Sequence, residues 1–167
     1  MGFHRSEVQT LLAQAAEAHA RLLAQLPGEI AALLPVDAQG LTRAIDHLAA
    51  AAGLSPERRR ALVRPHGVNP AVLHARVFGA APLSQETVIG AFIDGARVRA
   101  DALTTVADAA GGPPLGARVR ALLSDHPPPA GAGGEEAIAC LRDAYAAHER
   151  AALAIAAHLD EPGSSAA

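Results

Sequence analysis

Two histidines occupy corresponding places in the two terminal segments of this chain. His148 falls in the series Ile138, Leu141, Tyr145, His148, Ala152, Ile155, Leu159, and His19 falls in the series Val8, Leu12, Ala15, His19, Leu22, Leu26. Both series step alternately by three and four residues, the spacing that lines one face of an α-helix and makes the seam of a helix bundle. An imidazole halfway along such a seam is expected to face the core. Neutral imidazole is the commonest metal ligand, and bundle cores hold metals or small ligands where side chains from facing helices converge. The candidate ligand or metal residues are therefore His19, His148, Tyr145 and Glu149. The competing expectation is a pair of core histidines, each satisfied by a hydrogen bond and without function; Tyr145, one turn before His148, would supply one such partner. The residues name no particular metal or cofactor. Glu-x-x-His, His-Glu-x-x-His and Cys-x-x-Cys, whose spacings put metal ligands on one helix face or one turn, are all absent.

A second cluster offers different chemistry. Residues 41–64 read like a helix-turn-helix, with Ala49 four residues before Gly53 and with Ala52, Leu54 and Leu62 on the expected core positions. Arg58, Arg59, Arg60 and Arg64 could then contact phosphates. Arg59, however, takes a slot that should be apolar, and an ordinary helical corner with a solvated basic face explains the segment as well. Arg99 lies near the stripe Val88, Phe92, Ala96, Leu103, Val106, where its stem is expected to pack and its head to reach solvent. The single cysteine, Cys140, is expected to be a small buried thiol. No Gly-x-Ser-x-Gly motif is present and no glycine-rich loop follows a strand, so no nucleophile or phosphate cradle points to an enzyme.

The elements that must position these residues are helices. Alanine dominates a composition that is half hydrophobic and only 2% aromatic, which suits closely packed helices and starves a β-sheet of the residues it favours. Leu41, Ile45, Leu48 and Ala52 make one stripe over 38–52, which Gly53 ends. Ser55-Pro56-Glu57 is a helix start, with a capping serine, a proline at the first helical position and an acid in the first turn. Ser84 opens a long helix that Gly111-Gly112-Pro113-Pro114 stops, and a short helix follows over 115–124. The Pro- and Gly-rich run 126–134 is a linker, and the last helix covers 135–159.

The expected fold is an all-α, antiparallel helix bundle of three to four main helices plus short capping helices. It forms one domain over 1–159 with a disordered tail at 160–167. All 14 basic residues are arginine, and the bias to Ala, Arg, Gly and Pro suggests a GC-rich bacterial source. A net charge of −3 argues against a general affinity for nucleic acid or for an anionic membrane. A lone cysteine and the lack of an apolar signal region fit the cytoplasm. The leading functional expectation is a non-enzymatic bundle that self-associates or binds a protein partner through alanine-rich stripes. Metal or small-ligand binding in the core is the alternative, and a DNA-binding regulator using 41–64 is the second alternative.

Overall fold

A computed structural model describes residues 5–11, 13, 38–63, 85–127 and 134–161. Every regular element among these residues is helical, and the fold class is all-α. The helices are α1 (Ala38–Ala51), α2 (Pro56–Val63), α3 (Gln85–Ser124) and α4 (Gly134–Asp160), with a further helical stretch at residues 5–11. No helix among the described residues is long and apolar enough to cross a membrane.

The corner between α1 and α2 follows from its capping residues. Gly53 takes a positive φ of 81°, which costs glycine little because it lacks a Cβ. The Leu54 amide then donates to the Ala49 carbonyl at 3.1 Å and the Gly53 amide to the Ala50 carbonyl at 3.0 Å. This pair of reversed bonds is the Schellman closure, and it satisfies carbonyls that the helix end would otherwise leave bare. Ser55 Oγ accepts from the Arg58 amide at 3.3 Å and so caps the first turn of α2.

The break at residues 111–114 reverses the chain. Gly112 has φ 67° and ψ −163°, a conformation outside the helical region and close to one that only glycine adopts readily. Two helical arms, residues 85–111 and 113–124, therefore make up α3. Twelve residues of straight helix would hold Asp108 and Arg120 about 18 Å apart, yet their side chains pair at 2.6 Å. Gly116 leaves room for the pair. A Cβ there would stand only 1.7 Å from Asp108 Oδ1.

Two contacts fix the direction of the long helices. Arg99 lies over the ring of Tyr145, and a Cβ on Gly111 would meet His158 Nε2. Both helices advance about equally between these contacts, so the first arm of α3 and α4 run in the same direction. The short second arm folds back along the first, as the Asp108–Arg120 pair shows. Arg5, at the start of the described N-terminal stretch, donates its amide to the Asp160 carboxylate at the end of α4. Asp160 is the last helical residue of α4; residues 162–167 lie outside the described residues.

The core is aliphatic and rich in alanine. Ile45 and Leu48 of α1, Leu103 and Val106 of the first arm, Val119 of the second arm, and Ile155 of α4 meet there with Val8. Alanines fill the spaces between these larger side chains, among them Ala44, Ala107, Ala151, Ala152 and Ala156. Their small volume is what lets the helix backbones approach closely.

Candidate functional site

Higher along the same α3–α4 seam, the packing changes character. Position 99 falls three residues after Ala96 and four before Leu103, both buried, so helical geometry turns it inward with them. Arg99 is only 4% exposed. This corrects the expectation that its head reaches solvent, because the side chain leaves the helix from the middle of the stripe rather than from its edge. The guanidinium carbon lies 5.3 Å from the centroid of the Tyr145 ring, a cation–π contact.

α4 supplies the other two side chains. Tyr145 is fully buried and His148 is 1% exposed, as the seam spacing predicts. The two rings meet edge to face, with centroids 5.9 Å apart and planes at 85°. This is a favoured aromatic geometry.

The polar atoms of this layer are incompletely satisfied. Among the described residues, Arg99 Nη1 and His148 Nδ1 are buried and have no hydrogen-bond partner. Burial, with a smaller push from the Arg99 charge, lowers the His148 pKa to about 3. The imidazole is therefore neutral near pH 7. Burial raises the Tyr145 hydroxyl above its usual range, while the charge of Arg99 and a hydrogen bond from it pull the other way. The layer thus combines one permanent cation, a neutral imidazole and a protonated phenol.

This combination suits an anion. A guanidinium offers five donors and cannot give up its proton, so an unused N–H in the core calls for an acceptor. The neutral imidazole can present either a donor or an acceptor at Nδ1. His148 is a poor general base at neutral pH, because its pKa lies far below that range. Arg99 also sets a positive charge beside the imidazole, which opposes a metal cation there. No group of three or more His, Cys, Asp or Glu is placed to hold a metal ion among the described residues.

The remaining sequence candidates fall elsewhere. Glu149 is exposed, since one helical step of about 100° carries it off the seam, and it does not join Tyr145 and His148. His19 lies outside the described residues, as does Arg64. Arg58 and Arg60 are exposed, and Arg59 is half-buried. Arg59 Nε reaches toward Asp46 Oδ1 of α1 at 3.7 Å. The apolar slot that Arg59 occupies thus becomes a tie between α1 and α2. Cys140 is a half-buried free thiol.

Arg99 is the residue that sequence reasoning undervalued. Its signal was its register with Ala96, Leu103 and Val106, which outweighs the general tendency of arginine to reach water. Comparison of the chain with protein-family models, with curated proteins and with solved structures finds no match in any of the three.

Proposed function

We propose that this protein binds a small anionic ligand in its helical core, on Arg99, Tyr145 and His148. One observation carries the proposal: among the described residues, a buried guanidinium whose Nη1 has no hydrogen-bond partner and an imidazole with an equally unused Nδ1 pack on the same Tyr145 ring. Leaving a buried charged donor unpaired costs several kcal/mol, on the order of 3–5 where one partner of a buried pair is removed. A carboxylate or phosphate oxygen would offset that cost by pairing with the guanidinium fork. In this reading the chain is a cytoplasmic binding protein without catalytic chemistry. Its body is a bundle of three to four main helices in which helices joined by short turns run in opposite directions.

Association through alanine-rich stripes gains no support from the packing. On α4, Ala144, Ala147, Ala151, Ala152 and Ala156 are all buried within the chain's own core.

The test is thermal unfolding with acetate, benzoate or inorganic phosphate at constant ionic strength, chloride serving as the reference. A ligand at one hundred times its Kd stabilises the folded state by about 2.7 kcal/mol. At least one of the anions should raise the Tm of the wild type and leave that of Arg99→Met unchanged. A flat response to all of them, or a shift that survives in Arg99→Met, rejects the core site.

A further inference from the structure

A surface groove of about 280 Å³ opens where the N-terminal helical stretch, the second arm of α3 and α4 meet. Three arginines line it, one from each segment: Arg5, Arg118 and Arg150. Its floor is apolar, made by Leu122, Leu153 and two alanines of α4. Leu153 also packs against the core, so the floor is anchored from beneath. Among the described residues no acidic side chain lines the groove. All three arginines are exposed, and none of them forms a salt bridge among the described residues. The nearest acid that the geometry names, Asp160, accepts from the backbone amide of Arg5.

Three like charges converge here in a chain whose net charge is −3. Among the described residues no salt bridge offsets their mutual repulsion, and a bound anion would. Charge matching favours a dianion over a single carboxylate, and guanidinium forks fit phosphate oxygens in pairs. The volume falls just below the usual range of ligand pockets, roughly 300–1,000 Å³. It suits a headgroup with a short chain and not the side of a partner helix. The apolar floor beside the charges gives that chain a place to lie.

We propose that this groove binds a phosphomonoester carrying a short apolar chain, with the phosphate on Arg5, Arg118 and Arg150 and the chain along Leu122 and Leu153. The groove shares no residue with the Arg99–Tyr145–His148 layer, so the two sites stand or fall separately.

Isothermal titration of the full chain with monomeric octyl phosphate tests the proposal, with inorganic phosphate, octyl glucoside and anionic phospholipid vesicles as comparisons. Octyl phosphate should bind at one site about tenfold or more tighter than inorganic phosphate or octyl glucoside, and added salt should weaken it. The double variant Arg118→Gln/Arg150→Gln should weaken it about tenfold with an unchanged Tm, while Arg99→Met should leave it intact. The proposal is overturned if octyl glucoside binds as well as octyl phosphate, if the double variant retains full affinity, if octyl phosphate does not bind at millimolar concentration, or if only the vesicles bind.

Discussion

The seam between α3 and α4 contains two layers built on the same helices and finished in opposite ways. In the layer around Leu103, Val106 and Ile155, these three side chains are aliphatic and fully buried. In the layer around Arg99, Tyr145 and His148, the side chains are just as deeply buried, yet two nitrogens lack a hydrogen-bond partner among the described residues. Helical periodicity cannot account for the difference, since it turns positions 99 and 103 toward the same neighbour. What separates them is what burial costs. An aliphatic side chain gains from leaving water, at about 25 cal/mol per Å². A guanidinium and an imidazole lose their hydration and recover it only through partners. One layer therefore holds the fold together, and the other draws on that stability to keep polar groups in place.

The largest expected effect lies in the aliphatic layer. Leu103→Ala should destabilise the protein by about 2–5 kcal/mol, because a fully buried leucine leaves a cavity as well as lost transfer energy. Urea unfolding at pH 7 measures it. A loss under 1 kcal/mol would mean that this layer is loosely packed, and the contrast between the layers would collapse.

Acidification should act on the polar layer. The unfolded imidazole titrates near 6.5, whereas His148 in the fold titrates at about 3. Between these values the unfolded chain binds the extra proton, so stability is lost as pH falls from 6.5 toward 3. The expected loss between pH 8 and pH 5 is about 2 kcal/mol. In His148→Leu this component should vanish. Equal pH slopes in the two proteins would show that the imidazole is not held neutral in the fold.

These layers also show what the sequence could and could not convey. The stripe Leu41, Ile45, Leu48 is buried as its spacing predicts, and so are Leu141, Tyr145, His148, Ala152 and Ile155 of α4. The stop at Gly53 and the cap at Ser55 were legible because each answers a local need of the backbone. The direction of the helices was not. Gly111-Gly112-Pro113-Pro114 marks where a helix must stop, but the angle at which the chain leaves depends on the φ and ψ of Gly112. That glycine folds the second arm back, so that α4 runs alongside the first arm of α3 in the same direction. The site was half legible. Seam spacing brought in His148 and Tyr145, while Arg99 had to be weighed against the habit of arginine to reach water. No local signal tells an arginine in mid-stripe whether the facing helix will leave its head a way out.

A smaller effect should follow from removing the buried charge. Arg99→Met keeps an unbranched side chain of similar reach and abolishes the unpaired donor, at the cost of one cation–π contact and the hydrogen bond to Tyr145. Without added anion, the variant should be as stable as the wild type or more stable by up to about 2 kcal/mol. Thermal unfolding in anion-free buffer decides the point. A loss above 2 kcal/mol would place Arg99 among the supports of the fold rather than among groups kept for a ligand.

Tyr145→Phe should have the smallest effect. The ring that faces both Arg99 and His148 stays, and only the hydroxyl is lost. One hydrogen bond in a buried layer is worth about 1 kcal/mol, so stability should fall by roughly that much. The consequence for binding is the sharper test. If the hydroxyl helps Arg99 hold an anion, Tyr145→Phe should weaken the ligand-induced rise in Tm without abolishing it, whereas Arg99→Met removes it altogether. A full rise in Tyr145→Phe would restrict the hydroxyl to orienting the guanidinium. No rise at all would make tyrosine and arginine a single binding unit, because neither alone could then hold the anion in the core.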